Sequence, residues 1–133
     1  MATLIDTSAL YVLMDERDPD HATAVAILDR LRTEDRDLVM HSYALSESIA
    51  LLQRRFGLDA VRRLVDVFLP IIEIVWVDPD LHDRALSSLL GSGQRAVSFV
   101  DHVSFGVMRD HRMRKAFAFD RDFLAQGFEL LSA

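Results

Sequence analysis

Apolar positions follow two periodicities along this chain, and their alternation predicts its architecture. Segments 2–5, 38–40, 71–77, 116–119 and 128–131 are apolar at nearly every position, the pattern of short strands buried on both faces. Segment 71–77 is the clearest of them, because β-branched and aromatic residues dominate it. Between these runs, apolar residues recur at helical spacing. Thr7 or Ser8 caps a helix through Met14, Pro19 opens one running to about Arg32, and Ser42 begins one that Gly57 stops. Asp59 to Leu69 continues helically until Pro70 ends it, and Asp78-Pro79 opens a helix to about Leu90. Gly91-Ser92-Gly93 reads as a loop, 98–110 as a helix, and 120–125 as one or two helical turns. Strands alternating with helices predict an α/β fold, a three-layer α/β/α sandwich around a mostly parallel sheet of four or five strands. No repeat or linker interrupts it, so one domain over 1–133 is expected.

Composition narrows the picture. At 133 residues, with 50% hydrophobic and 27% charged side chains, a hydrophobic core suffices without covalent staples. The absence of cysteine removes disulfide scaffolds, thiolate zinc sites and cysteine nucleophiles together. Apolar runs are far shorter than the ~20 residues that span a bilayer, and the start, Met-Ala-Thr-Leu-Ile-Asp, lacks the basic region of a leader. A cytoplasmic protein with no membrane partner is the expectation. The net charge of −6 argues against a non-specific nucleic-acid coat protein, but not against a nuclease that gathers its acids around cations. Of the 15 bases only Lys115 is a lysine, a bias that suits fork-like phosphate contacts and equally fits a GC-rich coding sequence.

The parallel-sheet reading makes the carboxyl ends of the strands the place to look for a site. Asp6 follows the first strand and Asp120 the fourth, with Asp122 two residues on; Glu47 and Asp101 lie near the starts of helices. Each alone is most simply a helix cap or a solvated surface group. Together, they would repel one another in a shared cleft unless protons or cations intervened. Oxygen donors without cysteine or paired histidine select hard ions, Mg²⁺ or Mn²⁺, and such a cluster is what metal-assisted phosphodiester hydrolysis needs.

Those residues carry a family resemblance. Leu4-Ile5-Asp6-Thr7-Ser8-Ala9-Leu10, Ser46-Glu47, Ser98-Phe99-Val100-Asp101 and Phe117-Ala118-Phe119-Asp120-Arg121-Asp122-Phe123 resemble the four successive acidic motifs of PIN-domain ribonucleases. In order, spacing and length the whole chain is similar to the VapC toxins of bacterial toxin–antitoxin pairs. The resemblance implies a PIN-like sandwich, Mg²⁺- or Mn²⁺-dependent endoribonuclease activity leaving 5′-phosphate and 3′-hydroxyl ends, inhibition by a cognate VapB-type antitoxin, and a homodimer. Position by position it makes Asp6, Glu47, Asp101 and Asp120 the catalytic, metal-binding acids. Ser98 matches a hydroxyl that supports the site, Thr7 orients the first acid or caps its helix, and Asp122 stands behind the four as a supporting group. The fourth motif departs from the usual form at Ala118, where Thr or Ser is frequent.

Other features weigh less. His21, His41, His82, His102 and His111 have no ligand spacing and read as surface or packing residues. Arg95, and the cluster Arg109, Arg112, Arg114 and Lys115, fit an RNA-backbone contact as well as a solvated face. Between Leu45 and Leu69 there is more apolar surface than one core face needs; packing explains it, as does a dimer seam or a groove for an antitoxin helix. Trp76 and the Phe117/Phe119/Phe123/Phe128 set read as core. Two rival readings stand beside the nuclease. One is a non-catalytic PIN-like domain that binds RNA or protein and whose acids only cap helices. The other is a phosphoryl-accepting receiver-like domain, which would want a lysine after a late strand where this chain has Lys115 before one.

Overall fold

The computed structural model describes residues 2–132. Its elements are β1 (Ala2–Ile5), α1 (Thr7–Met14), α2 (His21–Thr33), β2 (Asp37–His41), α3 (Ser42–Phe56) and α4 (Leu58–Arg63). A π-helical turn (Leu64–Phe68) and a 3₁₀ turn (Leu69–Ile71) lead into β3 (Ile72–Val75). Then come α5 (Pro79–Ser92), α6 (Phe99–Asp110), β4 (Lys115–Phe117), α7 (Asp122–Ala125) and β5 (Glu129–Leu130).

All four strand pairings are parallel, in the order β3-β2-β1-β4-β5. Side-chain alternation along each strand divides the core between the two faces. Ile5, Leu38, Met40 and Phe117 join α1 to α4 in one apolar cluster, whereas Leu4, Val39, Ala116 and Ala118 join α5 and α6 in the other. This is the expected three-layer arrangement, with a parallel sheet covered on both faces. On the second face Phe105 is buried and meets Phe123 edge-on at a centroid separation of 5.2 Å. Strand order turns around at β1, whose chain continues to β2 and β3 on one side while β4 and β5 lie on the other. The carboxyl ends of β1 and β4 are therefore the switch point of the sheet, the place where parallel sheets carry their sites.

Several local expectations are corrected. Helix α2 starts at His21 behind the cap residue Asp20, because Pro19 lies in the turn before it. Gly91 and Ser92 belong to α5, which ends at Gly93, where φ is +66° and a side chain would be strained. Ser98 is the cap of α6 and not its first turn. The 59–69 helix breaks into α4 and the π and 3₁₀ turns, since Pro70 forbids regular continuation into β3. Strand β3 is shorter than 71–77, and Trp76, expected in the core, is 73% exposed beyond the end of this edge strand. Strand β4 stops at Phe117, so Ala118 and Phe119 belong to the turn that carries Asp120.

Candidate metal centre

The acids gather at this end of the sheet. Asp6, immediately after β1, is 5% exposed and caps α1. Its Oδ2 accepts hydrogen bonds from the Ser8 amide at 3.1 Å and the Ser8 hydroxyl at 2.6 Å. That Ser8 oxygen also accepts the Phe119 amide at 3.0 Å, tying β1 to the turn after β4. Asp120 Oδ1 accepts the Asp122 amide at 2.9 Å, an Asx turn that folds both carboxylates to the same side. Asp101, in the first turn of α6, forms a capping box with Ser98. The Ser98 oxygen accepts the Asp101 amide at 3.1 Å, and Asp101 Oδ2 accepts the Ser98 amide at 3.2 Å. One oxygen of Asp101 is thereby held in place while the other is spare.

Asp101, Asp120 and Asp122 each offer an oxygen, and the three oxygens lie within 4.8 Å of one another. Asp122 thus stands beside Asp101 and Asp120, whereas Asp6 and Glu47, two of the acids it was expected to stand behind, lie outside this close trio. Asp6 and Glu47 complete the group electrostatically. Burial, followed by the charges of Asp120 and Glu47, pushes the Asp6 carboxyl up even against the two Ser8 hydrogen bonds. Burial and the neighbouring Asp6 and Asp120 push Asp101 up to about 6, and partial burial beside Asp120 raises Asp122 as well. Glu47 itself is exposed on α3. Among the described residues no salt bridge reaches any of these five acids. The described residues thus concentrate negative charge here with no ion pair to offset it. The N-terminal ends of α1 and α6 point here and offset part of the repulsion. Oxygen-only donors at this spacing fit a hard divalent ion.

The chain belongs to the PIN-domain family. The family model for the PIN domain matches residues 3–129. The chain is 36% identical over 126 residues, 93% of each protein, to the 23S rRNA-specific endonuclease VapC20 of Mycobacterium tuberculosis. The crystal structure of that Mycobacterium tuberculosis VapC20, a sarcin–ricin loop cleaving toxin, superposes with a TM-score of 0.86 at 31% identity over the whole of both chains. Rickettsia felis VapBC2, bound to a DNA fragment from its promoter, shares the fold with a TM-score of 0.75 at 12% identity over 98% of each chain. As a PIN-domain protein of the VapC type, the chain is an endoribonuclease.

Two supporting residues of this PIN site escaped the sequence reading. Thr7 neither caps α1 nor bonds Asp6; its hydroxyl donates to the Ala44 carbonyl at 3.3 Å, and the orienting role falls to Ser8. A hydroxyl thus reaches the fourth motif from Ser8, although Ala118 lacks one. The signal available was the Asp-x-Ser spacing at a helix start, which lets a cap side chain and the hydroxyl two residues on meet. The second is His41, the polar end of an apolar strand. Its Nδ1 accepts the Ala44 amide at 3.2 Å, so Nε2 carries the proton toward Ser104 Oγ at 2.9 Å. Ser104 in turn donates to Val100, linking the start of α3, which bears Glu47, to the first turns of α6, which bear Asp101. Burial lowers the His41 pKa to about 4, so the ring stays neutral and the link holds across the physiological range.

Arg95 lies exposed in the turn before α6, three residues ahead of Ser98. Arg112, Arg114 and Lys115 precede or open β4 and so lie at the opposite edge of the sheet from the acids. Replacing Ser8 with Ala should lower stability by about 1 kcal/mol, because the buried end of Asp6 and the Phe119 amide each lose a partner. Cleavage should fall more steeply than that loss of stability explains, since both Asp6 and the Asp120 turn are released. Thermal unfolding and a cleavage assay on the same preparation check this; unchanged cleavage would remove Ser8 from the site.

Proposed function

We propose that Asp6, Glu47, Asp101 and Asp120, joined by Asp122, hold Mg²⁺ or Mn²⁺ and that RNA phosphodiester bonds are hydrolysed at this cluster. The observation that carries the reading is the trio of Asp101, Asp120 and Asp122 at the sheet's switch point, with Asp6 and Glu47 as neighbouring charges and, among the described residues, no salt bridge to any of the five. Bound there, the ion would supply a Lewis acid that activates water and neutralises charge on the scissile phosphate. The chain's own residues fix the geometry. Ser8 and Ser98 each bond one oxygen of an acid, Asp6 and Asp101 respectively, and leave the other without a bond from them. The N-termini of α1 and α6 favour the phosphate's negative charge over the same spot.

The substrate class we infer is ribosomal RNA of the large subunit, the target in the name of the relative that shares 36% identity across 93% of this chain. A VapB-type antitoxin is the expected inhibitor. Phe56, Leu58, Val65, Val67 and Ile71 form an exposed apolar face along α3, α4 and the turns after them, which supports a protein partner or a second copy of the chain there. No helix among the described residues is long and apolar enough to cross a membrane.

Incubating large-subunit ribosomal RNA with the protein tests the assignment. Cleavage should require Mg²⁺ or Mn²⁺, stop with chelator, and be lost in Asp6→Asn. Cleavage that persists in chelator, or at full rate in that variant, overturns it.

A further inference from the structure

At the edge of the sheet opposite the acids, a cavity of about 490 Å³ opens where β1, β4 and β5 begin. Arg36, Arg112, Arg114 and Lys115 line it, with Glu129 the single acid and Met113 on its apolar wall. Arg36 is already paired with Glu34, its Nε 2.8 Å from the carboxylate. Arg112, Arg114 and Lys115 form no salt bridge among the described residues. On a chain with net charge −6 this is a local excess of positive charge in a concave setting.

The backbone that carries it is built rather than loose. Helix α6 ends with the Met113 amide donating to Met108 at 2.8 Å, and the Arg114 carbonyl accepts the Glu129 amide from β5 at 2.8 Å. Arg112 sits between these anchors at φ +55°, in the left-handed region that normally favours glycine after a helix. The backbone at Arg112 thus takes a helix-ending conformation that glycine would adopt at lower cost.

We propose that this cavity is a second RNA-contact site, where Arg112, Arg114 and Lys115 grip backbone phosphates of the substrate away from the cut. The proposal rests on the nuclease reading for the identity of its ligand. A strongly negative chain repels RNA everywhere except at its cations, and the acidic cleft attracts phosphate only through bound ions. Unpaired arginines at the far edge supply the missing attraction. Strand β4 runs from Lys115 to Phe117 and a turn then carries the chain on to Asp120, so the cavity and the acids lie at opposite ends of this strand and the contact falls on a different nucleotide from the one being cut. It therefore favours a folded RNA broad enough to touch both edges over a short single strand.

The test is a fluorescence titration of a labelled stem-loop from large-subunit ribosomal RNA, in chelator so that it stays uncut, over a series of salt concentrations. Arg112→Glu/Arg114→Glu should weaken binding at least ~10-fold and flatten the log–log salt slope by about 1.5, the loss of two phosphate contacts. The same change of charge at Arg62 and Arg63 on α4 should leave the slope as it was. An unchanged slope in the first variant, or an equal loss in the second, overturns the proposal. So does full displacement of the RNA by adenosine monophosphate at matching affinity, which would make the cavity a site for free nucleotides. Cleavage by the wild type with Mn²⁺ is measured alongside. Normal cleavage with unaltered binding by Arg112→Glu/Arg114→Glu sinks the cavity alone, whereas slope-dependent binding without any cleavage sinks the nuclease reading and supports the cavity.

Discussion

Asp101→Asn is expected to lower the rate of RNA cleavage by roughly 10²–10³-fold, the scale on which losing one preorganised charged group acts at a reacting centre. It should do so without unfolding the protein. Asparagine keeps an oxygen that can accept the Ser98 amide, so the capping box that starts α6 survives. At neutral pH the wild-type carboxyl, with its pKa near 6, is ionised and repelled by Asp6 and Asp120. The amide removes that repulsion. In chelator, the variant's unfolding temperature should therefore equal or exceed that of the wild type. A carboxylate that served only as a cap would behave in the opposite way, costing stability and sparing chemistry. Unfolding curves in chelator and cleavage rates in Mn²⁺, taken together, decide between the two.

The same repulsion should make stability depend on pH and on divalent ions. Asp101 holds its proton up to about pH 6 in the folded chain but only to about its ordinary 3.8 when unfolded. Between these values the folded state binds more protons, so stability falls as pH rises through the window and stays low above it. Asp6 and Asp122, also raised, act in the same direction. After allowance for solvent screening of a partly exposed group, Asp101 contributes on the order of 1–2 kcal/mol. Adding Mn²⁺ should restore that stability at pH 7.5, raising the unfolding temperature by several degrees, roughly 3–5 °C per kcal/mol for a chain of this length. At pH 5 protons compete for the same oxygens, and the shift should shrink. Calorimetric scans with and without the ion at both values check the sign. A rise in stability from pH 4 to 6 in chelator, or an ion effect larger at pH 5, would contradict the electrostatics assigned to the cluster.

These expectations rest on acids that the sequence makes visible only one at a time. Asp6 and Asp120 could be placed beyond strand ends because apolar runs stop just before them, and parallel strands bring such ends to one edge of a sheet. The three-layer fold followed from the same patterning. Asp122 was harder to rank, since only the Asx turn at Asp120 folds it toward Asp101. Trp76 shows the reverse failure: its run of β-branched neighbours reads as a core strand, but β3 is the edge strand and ends at Val75, which leaves the indole outside. The basic cluster was legible as charge and illegible as place. Whether Arg112 and Arg114 share an edge with the acids depends on the direction of α6 and β4, which carry them to the far side.

By itself, then, the sequence determined the order in which strands and helices alternate, that no cysteine chemistry operates, and which carboxylates follow strands or open helices, because periodicity and capping are local properties. Tertiary structure alone decided that β1 and β4 are neighbours, that Ser8 reaches the turn after β4 and His41 ties α3 to α6, and that the free arginines line a cavity at the opposite edge. Contacts across 111 residues, such as Ser8 to Phe119, arise from packing and strand order, which no local pattern encodes.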